Sequence, residues 1–412
     1  MSTVAVFLDL DEGHSHSIFQ LLRRLEERGH RICCLGLPLA GHSAREQGFE
    51  FITIIEDILP KDLLHSERFR DNYIQDGLRD IYFGPLVRGE VLDRLMAELR
   101  PDVGVFHCHY YPESLVARFR YGLPIVYFVP QLRTASRAEA SEAVIETLMN
   151  LKSGAAEMLD LLASAGVSIR SLKDVAQLVL QAPELTVLPE AFDLPERSKE
   201  AGVYHVGFGV DLERAEESFD WEGIDPDRPL IFCSLGSQNY LTLETSRKFF
   251  QTVIATGAMH PRLQFVVSIG QMLGVSDFGE IPGNMKLRNW VPQMDVLSRA
   301  SLMINHGGFG TIKECILKGV PMLVLPLRPD RDQDATADRV THHGLGLKGD
   351  IDRITPGELG SMIERVVGDD SYRRRVAAMR EKFRQEGGLE TGVEVVERVI
   401  AESSGTRRGG AS

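Results

Sequence analysis

Cysteine is scarce in this chain, as is anything that would tie it to a secreted or membrane setting. Five cysteines stand among 412 residues: Cys33, Cys34, Cys108, Cys233 and Cys315. The number is odd and none forms a C-x-x-C pair, which excludes a disulfide framework and fits a reducing compartment. Ser2–Gly13 has no basic stretch, and its brief apolar run is broken by Asp9 and Asp11, so a secretory signal is not expected. No run approaches the ~18 apolar residues of a membrane helix, so a cytoplasmic protein without stable membrane association is expected. Base is also in deficit, with 46 Lys and Arg against 59 Asp and Glu and a formal net charge of -13. That argues against nucleic acid as a partner. What remains is average: 43% apolar and 25% charged residues exclude a disordered, collagenous or coiled-coil chain. The length suits about two domains at ~100–200 residues each.

Short apolar runs alternate with amphipathic ones. Val4–Leu8 predicts a strand, and Ile18, Leu21, Leu22 and Leu25 recur at helical spacing up to Gly29. Arg31–Leu35, Phe49–Ile55, Val103–Phe106 and Ile125–Val129 predict further strands, with one helix over Leu86–Leu99. Residues 133–180 read as mostly helical; their apolar set, including Met149, Met158 and Leu162, is either helix core or the wall of an apolar pocket. The acidic stretch Asp211–Pro229, with two prolines, is the linker candidate. The alternation then restarts with strands at Leu230–Ser234, Leu263–Ser268, Met285–Asn289, Leu302–Asn305 and Met322–Leu325. This pattern predicts an α/β chain of two doubly wound parallel sheets. The expected division is 1–215, 216–385, a last helix over 386–402 and a disordered tail over 403–412.

The densest chemistry lies between Asn289 and Val340. His306-Gly-Gly-Phe-Gly-Thr311 follows an apolar strand directly and opens a helix. Strand, glycine turn and helix N-terminus together make an anion-binding device, because bare backbone N–H groups and the helix dipole both favour negative charge. Glu314, about one turn beyond Thr311, can accept hydrogen bonds from sugar hydroxyls. Trp290, just after a strand, can stack on a nucleobase if exposed. Read in order, these parts fit base, ribose and diphosphate; the plainer alternative is a glycine turn with a core tryptophan.

Trp290-Val-Pro-Gln293, His306-Gly-Gly-Phe-Gly-Thr311, Glu314, Gly319-Val-Pro321 and Asp332-Gln333 resemble the nucleotide-sugar signature of family 1 glycosyltransferases. Gly13-His14 and Gly29-His30 extend the likeness over nearly the whole chain, and its look is that of bacterial macrolide-type and carotenoid-type transferases. The resemblance implies GT-B architecture, two Rossmann-like domains facing across a cleft, with the first domain taking the acceptor and the second the donor. It implies an inverting enzyme that moves a sugar from a UDP- or dTDP-sugar to a hydrophobic small molecule, with no cofactor beyond that co-substrate and no metal.

By this likeness Trp290 stacks on the base, the Val291 backbone pairs with its edge, and Gln293 belongs to the same site. Glu314 holds the ribose, and His306, Gly308, Gly310 and Thr311 hold the diphosphate. Ser234, Gly236 and Ser237 form the strand-end loop facing the donor, and Asp332 and Gln333 bind the sugar. Five residues rather than the usual three separate Pro326 from Asp332, so Asp330 competes for that role. His14 would be the base, since an imidazole suits proton removal at neutral pH. The usual acidic partner at the end of the fourth strand is replaced by His107, which leaves three readings open: Asp9 or Asp11 orients His14, His14 works without a partner, or the acceptor is acidic enough to need little help. Acceptor walls are sought among Phe69, Tyr73, Tyr82, Phe83, Tyr110 and Tyr111, which serve equally well as core.

His14-x-His16 and His107-x-His109 are spaced as zinc ligands can be, which would suit a metal-dependent hydrolase. That class has no use for the donor signature. A non-catalytic relative is the other alternative, resting only on His107. Gly344-Leu-Gly-Leu-Lys-Gly349 matches G-x-G-x-x-G but follows a helix, so it reads as a cap and turn rather than a dinucleotide site.

Overall fold

The computed structural model describes all residues except 9–11, 38–39, 55–78, 133, 152–153, 195–199, 208, 211–216, 237–241, 329–331, 387 and 410–412; the side chains of 12–16, 80 and 404–409 also lie outside the description. The chain divides into two compact units. One comprises Met1–Leu188, Glu196–Gly209 and Gly387–Ser412, the other Pro189–Pro195 and Val210–Glu386.

The first unit is built on a seven-stranded parallel sheet. Its strands are β1 (Thr3–Phe7), β2 (Arg31–Gly36), β3 (Glu50–Thr53), β4 (Val103–His107), β5 (Ile125–Val129), β6 (Glu184–Thr186) and β7 (Val203–His205), in the order β3-β2-β1-β4-β5-β6-β7. Successive side chains on a strand point to opposite faces, and here both faces are covered. Ala5 and Phe7 of β1 join a core with Phe83, Leu115, Ile145 and Val179, while Val4 and Val6 pack with Leu22, Leu25, Val393 and Val396. The continuous apolar runs of β1, β4 and β5 follow from this two-sided burial. The last helix, Leu389–Gly409, belongs to the first unit and carries the valines of its second core.

The second unit repeats the plan with six parallel strands: β8 (Leu230–Ser234), β9 (Gln264–Ser268), β10 (Met285–Arg288), β11 (Leu302–Asn305), β12 (Met322–Val324) and β13 (Gly346–Lys348). Their order is β10-β9-β8-β11-β12-β13. In both sheets the order reverses at one point, between β1 and β4 and between β8 and β11. At such points the connections diverge and leave a crevice at the strands' carboxyl ends.

Four details differ from the sequence reading. The helix expected over Leu86–Leu99 is two, Arg79–Arg88 and Asp93–Leu99, because Gly89 takes a φ of 89° that ends the first. The short strands β6, β7 and β13 carry too few residues for an alternation to register. The last helix continues to Gly409, through much of the segment expected to be a disordered tail. The linker candidate is, from Glu217 onward, an integral part of the second unit. The Phe219 N–H and the Trp221 Nε1–H both donate to Asp295, at 2.8 and 3.3 Å, and Phe219 is buried. Hydrogen bonds to an ionised acceptor contribute about 1.5–3 kcal/mol, and water can replace part of these. Asp295→Ala should therefore lower stability by about 1.5 kcal/mol in urea unfolding; an unchanged midpoint would show that the segment is not anchored there.

Candidate active site

The second unit's reversal point brings together the ends of β8 and β11. β8 closes on Ser234, whose hydroxyl accepts from the Gly236 N–H at 3.3 Å. β11 closes on Asn305, a fully buried residue whose Oδ1 accepts from the Gly307 N–H at 2.9 Å. That bond fixes the glycine turn, with Gly307 at a φ of 91°, and delivers the chain into the helix Phe309–Lys318. The His306 ring lies against two glycines. A Cβ on Gly236 would lie 2.5 Å from its Cε1 and one on Gly308 would lie 2.6 Å from its Nε2. Gly236 also has a φ of 78°, so bare backbone is required there twice over.

Burial lowers the His306 pKa to about 4, so the ring is neutral at neutral pH. Its Nδ1 is buried without a hydrogen-bond partner among the described residues, as is Asn305 Nδ2. Two orphaned polar atoms on neighbouring residues mark a place suited to a polar ligand, since unsatisfied groups of this kind are uncommon in native folds. The first N–H groups of the following helix lack intrahelical partners by geometry. Gly310, in its first turn, is exposed, and an added Cβ there would meet nothing within 4 Å. Thr311 follows, half-buried. This is an open, electropositive helix end beside a neutral imidazole.

The other second-unit residues gather on adjoining loops. Trp290 follows β10 and is 55% exposed, unusual for the largest apolar side chain. Its loop is pinned by Asn289, whose Nδ2 donates to the carbonyls of Gly270 and Leu273 at 2.8 and 2.6 Å. Val291 is buried, and Gln293 Nε2 donates to Glu314 Oε2 at 2.5 Å. Glu314 is therefore positioned before any ligand arrives. Asp332 opens the helix Asp332–His342. Gln333 Oε1 accepts from the N–H groups of Leu327 and Arg328, at 2.9 and 2.7 Å. The Gln333 oxygen thus already holds the loop after β12. The Gln333 carbonyl also lies against Gly307, where a Cβ would approach it to 2.8 Å. The glycine turn and the Asp332-Gln333 pair are thus neighbours. Ser237 and Asp330 lie outside the described residues.

Asn289 and Asn305 were missed by sequence reasoning. A signal for Asn305 exists, since an asparagine two residues before a glycine is a common turn former.

In the first unit, Asp9, Asp11, Phe69 and Tyr73 lie outside the described residues. His14 is the third residue of the helix Glu12–Glu27, immediately beyond the β1 loop, and its side chain is not described. His107 ends β4, and its Nδ1 accepts from the His109 N–H at 3.2 Å. A backbone N–H can only donate, so Nδ1 is unprotonated and His107 caps the short turn Cys108–Tyr110. It thereby serves the turn rather than standing in for the missing carboxylate. Tyr82, Phe83, Tyr110 and Tyr111 are 0–6% exposed and belong to the first core. The Tyr82 hydroxyl donates to Glu113 at 2.6 Å, and Tyr111 stacks edge-on against Tyr127. These four are core residues with almost no surface to offer an acceptor, which removes them as pocket walls. Gly344, with a φ of 64°, follows the helix Asp332–His342 and leads into β13, so the G-x-G-x-x-G match is a cap and a turn.

Residues 264–401 match the family described as erythromycin biosynthesis protein CIII-like, C-terminal domain. Demethyllactenocin mycarosyltransferase from Streptomyces fradiae is 26% identical over 97% of this chain and 87% of its own. The crystal structure of the glycotransferase of kitacinnamycin superposes with a TM-score of 0.76 at 27% identity, covering 97% of this chain and 99% of its own. The glycosyltransferase VinC in complex with dTDP gives a TM-score of 0.69 at 18% identity over 97% and 100% of the two chains, a likeness of fold. Two Rossmann-like sheets, a glycine turn at a helix N-terminus with an exposed tryptophan, and full-length likeness to these enzymes together make the chain a glycosyltransferase of GT-B fold, similar to the natural-product transferases.

Proposed function

We propose that this glycosyltransferase takes its sugar from a UDP- or dTDP-sugar and transfers it, with inversion, to a hydrophobic small-molecule acceptor. The observation that carries the donor assignment is the setting of His306, with two glycines against its ring, two orphaned polar atoms and an open helix N-terminus. Trp290 would lie on the pyrimidine, Glu314 would take the ribose hydroxyls, and the amides from Gly308 to Thr311 would take the diphosphate. Asp332 and the Gln333 amide nitrogen would meet the sugar. The dTDP held by VinC favours dTDP as the nucleotide to try first.

In the reaction the acceptor's nucleophilic atom attacks the anomeric carbon from the face opposite the phosphate. The bond from that carbon to the phosphate oxygen breaks, and its electron pair leaves with the diphosphate. Helix-end amides already aimed at the developing charge stabilise it without a metal ion. The acceptor's proton passes to a base, assigned to His14 on the resemblance. Within the described residues no helix is long and apolar enough to cross a membrane, and the five cysteines are free and buried.

Trp221 and Trp290 are the only tryptophans. Titration with dTDP and UDP should quench fluorescence saturably for at least one of them. Trp290→Phe should abolish most of that signal and weaken binding by about threefold, in keeping with the ~0.5–1.5 kcal/mol of an aromatic stack. Absence of binding to either nucleotide by calorimetry would sink the donor assignment.

A further inference from the structure

The turn after β4 holds chemistry that sugar transfer does not use. His107, Cys108 and His109 follow one another, and one ligand atom from each can be chosen so that all three lie within 4.8 Å. The His107 and His109 rings meet edge to face at 4.5 Å, and Cys108 Sγ lies 4.0 Å from His107 Nδ1. His107 and Cys108 are buried, while His109 is exposed, so the cluster opens to solvent on one side.

A fourth group points into the cluster from the loop after β5. Gln131 Nε2 lies 3.0 Å from Cys108 Sγ and 3.4 Å from His109 Nε2. Its Oε1 is buried with no hydrogen-bond partner among the described residues. The amide thus spends its nitrogen on a sulfur, a weak acceptor, and leaves its oxygen, the stronger group, unsatisfied. An amide turned by half a rotation would aim that oxygen at the space between the sulfur and the imidazole.

We propose that this turn binds one borderline-soft divalent cation, with zinc as the reference ion. The ligands are Cys108 Sγ, His107 Nδ1, His109 Nε2 and, after the amide turns, Gln131 Oε1. One thiolate, two imidazoles and one oxygen form a tetrahedral set that such an ion accepts at bond lengths of about 2.0–2.3 Å. Those lengths require the ligand atoms to close in by roughly 1 Å, within reach of side-chain rotation. Binding releases the Cys108 proton to solvent and exchanges the His109 N–H bond at His107 Nδ1 for a metal bond; no redox step occurs.

The other thiols are poor competitors. Burial raises the Cys33 pKa to about 12 and those of Cys34, Cys233 and Cys315 further, and thiolates are the metal ligands. The site does not depend on the donor assignment, and its readout is not turnover.

The test is titration of the reduced, full-length protein with Co2+, followed by absorption. One equivalent per chain should bring in an intense thiolate-to-cobalt charge-transfer band together with the visible bands of tetrahedral cobalt, and Zn2+ should bleach both. Cys108→Ser should remove the charge-transfer band, and His109→Ala, at an exposed position, should weaken Co2+ binding by at least ~10-fold, the scale seen when metal-site partners are lost. Gln131→Leu should weaken it less, and Cys33→Ser should leave the band intact. No charge-transfer band in the folded protein, a band that survives Cys108→Ser, or one lost in Cys33→Ser would each overturn the proposal.

Discussion

Alanine at Gly236 is expected to weaken nucleoside-diphosphate binding by roughly 10–100-fold, the largest loss from a single methyl group in the second unit. Two effects coincide at this position. The φ of 78° is left-handed, and a side chain held there costs about 1–3 kcal/mol. The new Cβ would also lie 2.5 Å from the His306 ring, inside contact distance. The same Cε1–Nε2 edge of the ring also faces Gly308, where a Cβ would lie 2.6 Å from Nε2, so the ring is closely fitted at that edge. Displacing it removes one donor from a charged ligand, worth about 1.5–3 kcal/mol, which sets the range of lost affinity. Gly310→Ala is the internal contrast in stability. Its Cβ would meet nothing within 4 Å, and alanine in a helix gains about 0.5–1 kcal/mol over glycine. Thermal unfolding should show opposite signs for the two variants, and calorimetry should show the affinity loss in Gly236→Ala. Wild-type affinity in that variant would mean that the His306 ring does not form the anion site.

These residues also show what a sequence can and cannot reveal. The glycine turn was legible because a strand, a glycine cluster and a helix start must occur in that order for the backbone to meet an anion. Both doubly wound sheets were legible because strands buried on two faces become short continuous apolar runs. The strand order needed the fold, and so did the placement of His306 beside Gly236 and Gly308, 70 and two residues away in the chain. Tyr82, Phe83, Tyr110 and Tyr111 misled because aromatics have the same spacing whether they line a pocket or fill a core. The anchoring of the Gln333 oxygen was not legible, because its partners, the N–H groups of Leu327 and Arg328, are anonymous in sequence: any residue but proline has a backbone N–H. Asp211–Pro229 read as a linker because acid and proline mark exposed chain, yet Phe219 and its bond to Asp295 draw the segment in.

Lys313→Met is expected to stabilise the protein by about 2–3 kcal/mol at neutral pH. Lys313 lies in the helix Phe309–Lys318, is 1% exposed, and forms no ion pair among the described residues. Its Nζ stands 4.7 Å from the centre of the Phe309 ring, a contact weaker than the hydration it replaces. Burial lowers its pKa to about 7, with neighbouring Glu314 pulling the other way. In the unfolded chain the group titrates near 10.4. Between these values the unfolded state holds more protons than the native state, so stability rises with pH across the window. Below pH 7 both states are protonated and the native state bears the whole cost, at most about 5 kcal/mol at ~1.4 kcal/mol per unit. Methionine has a similar shape and no charge, and imperfect packing takes back part of the gain. The advantage of the variant should shrink by about 2 kcal/mol between pH 6.5 and 9.5, because deprotonating the wild-type group on folding costs less as the pH nears its unfolded value. Urea unfolding of both proteins at the two pH values measures this directly. An advantage independent of pH would place its origin in packing, and a loss of stability would show that the ammonium is held by a favourable partner.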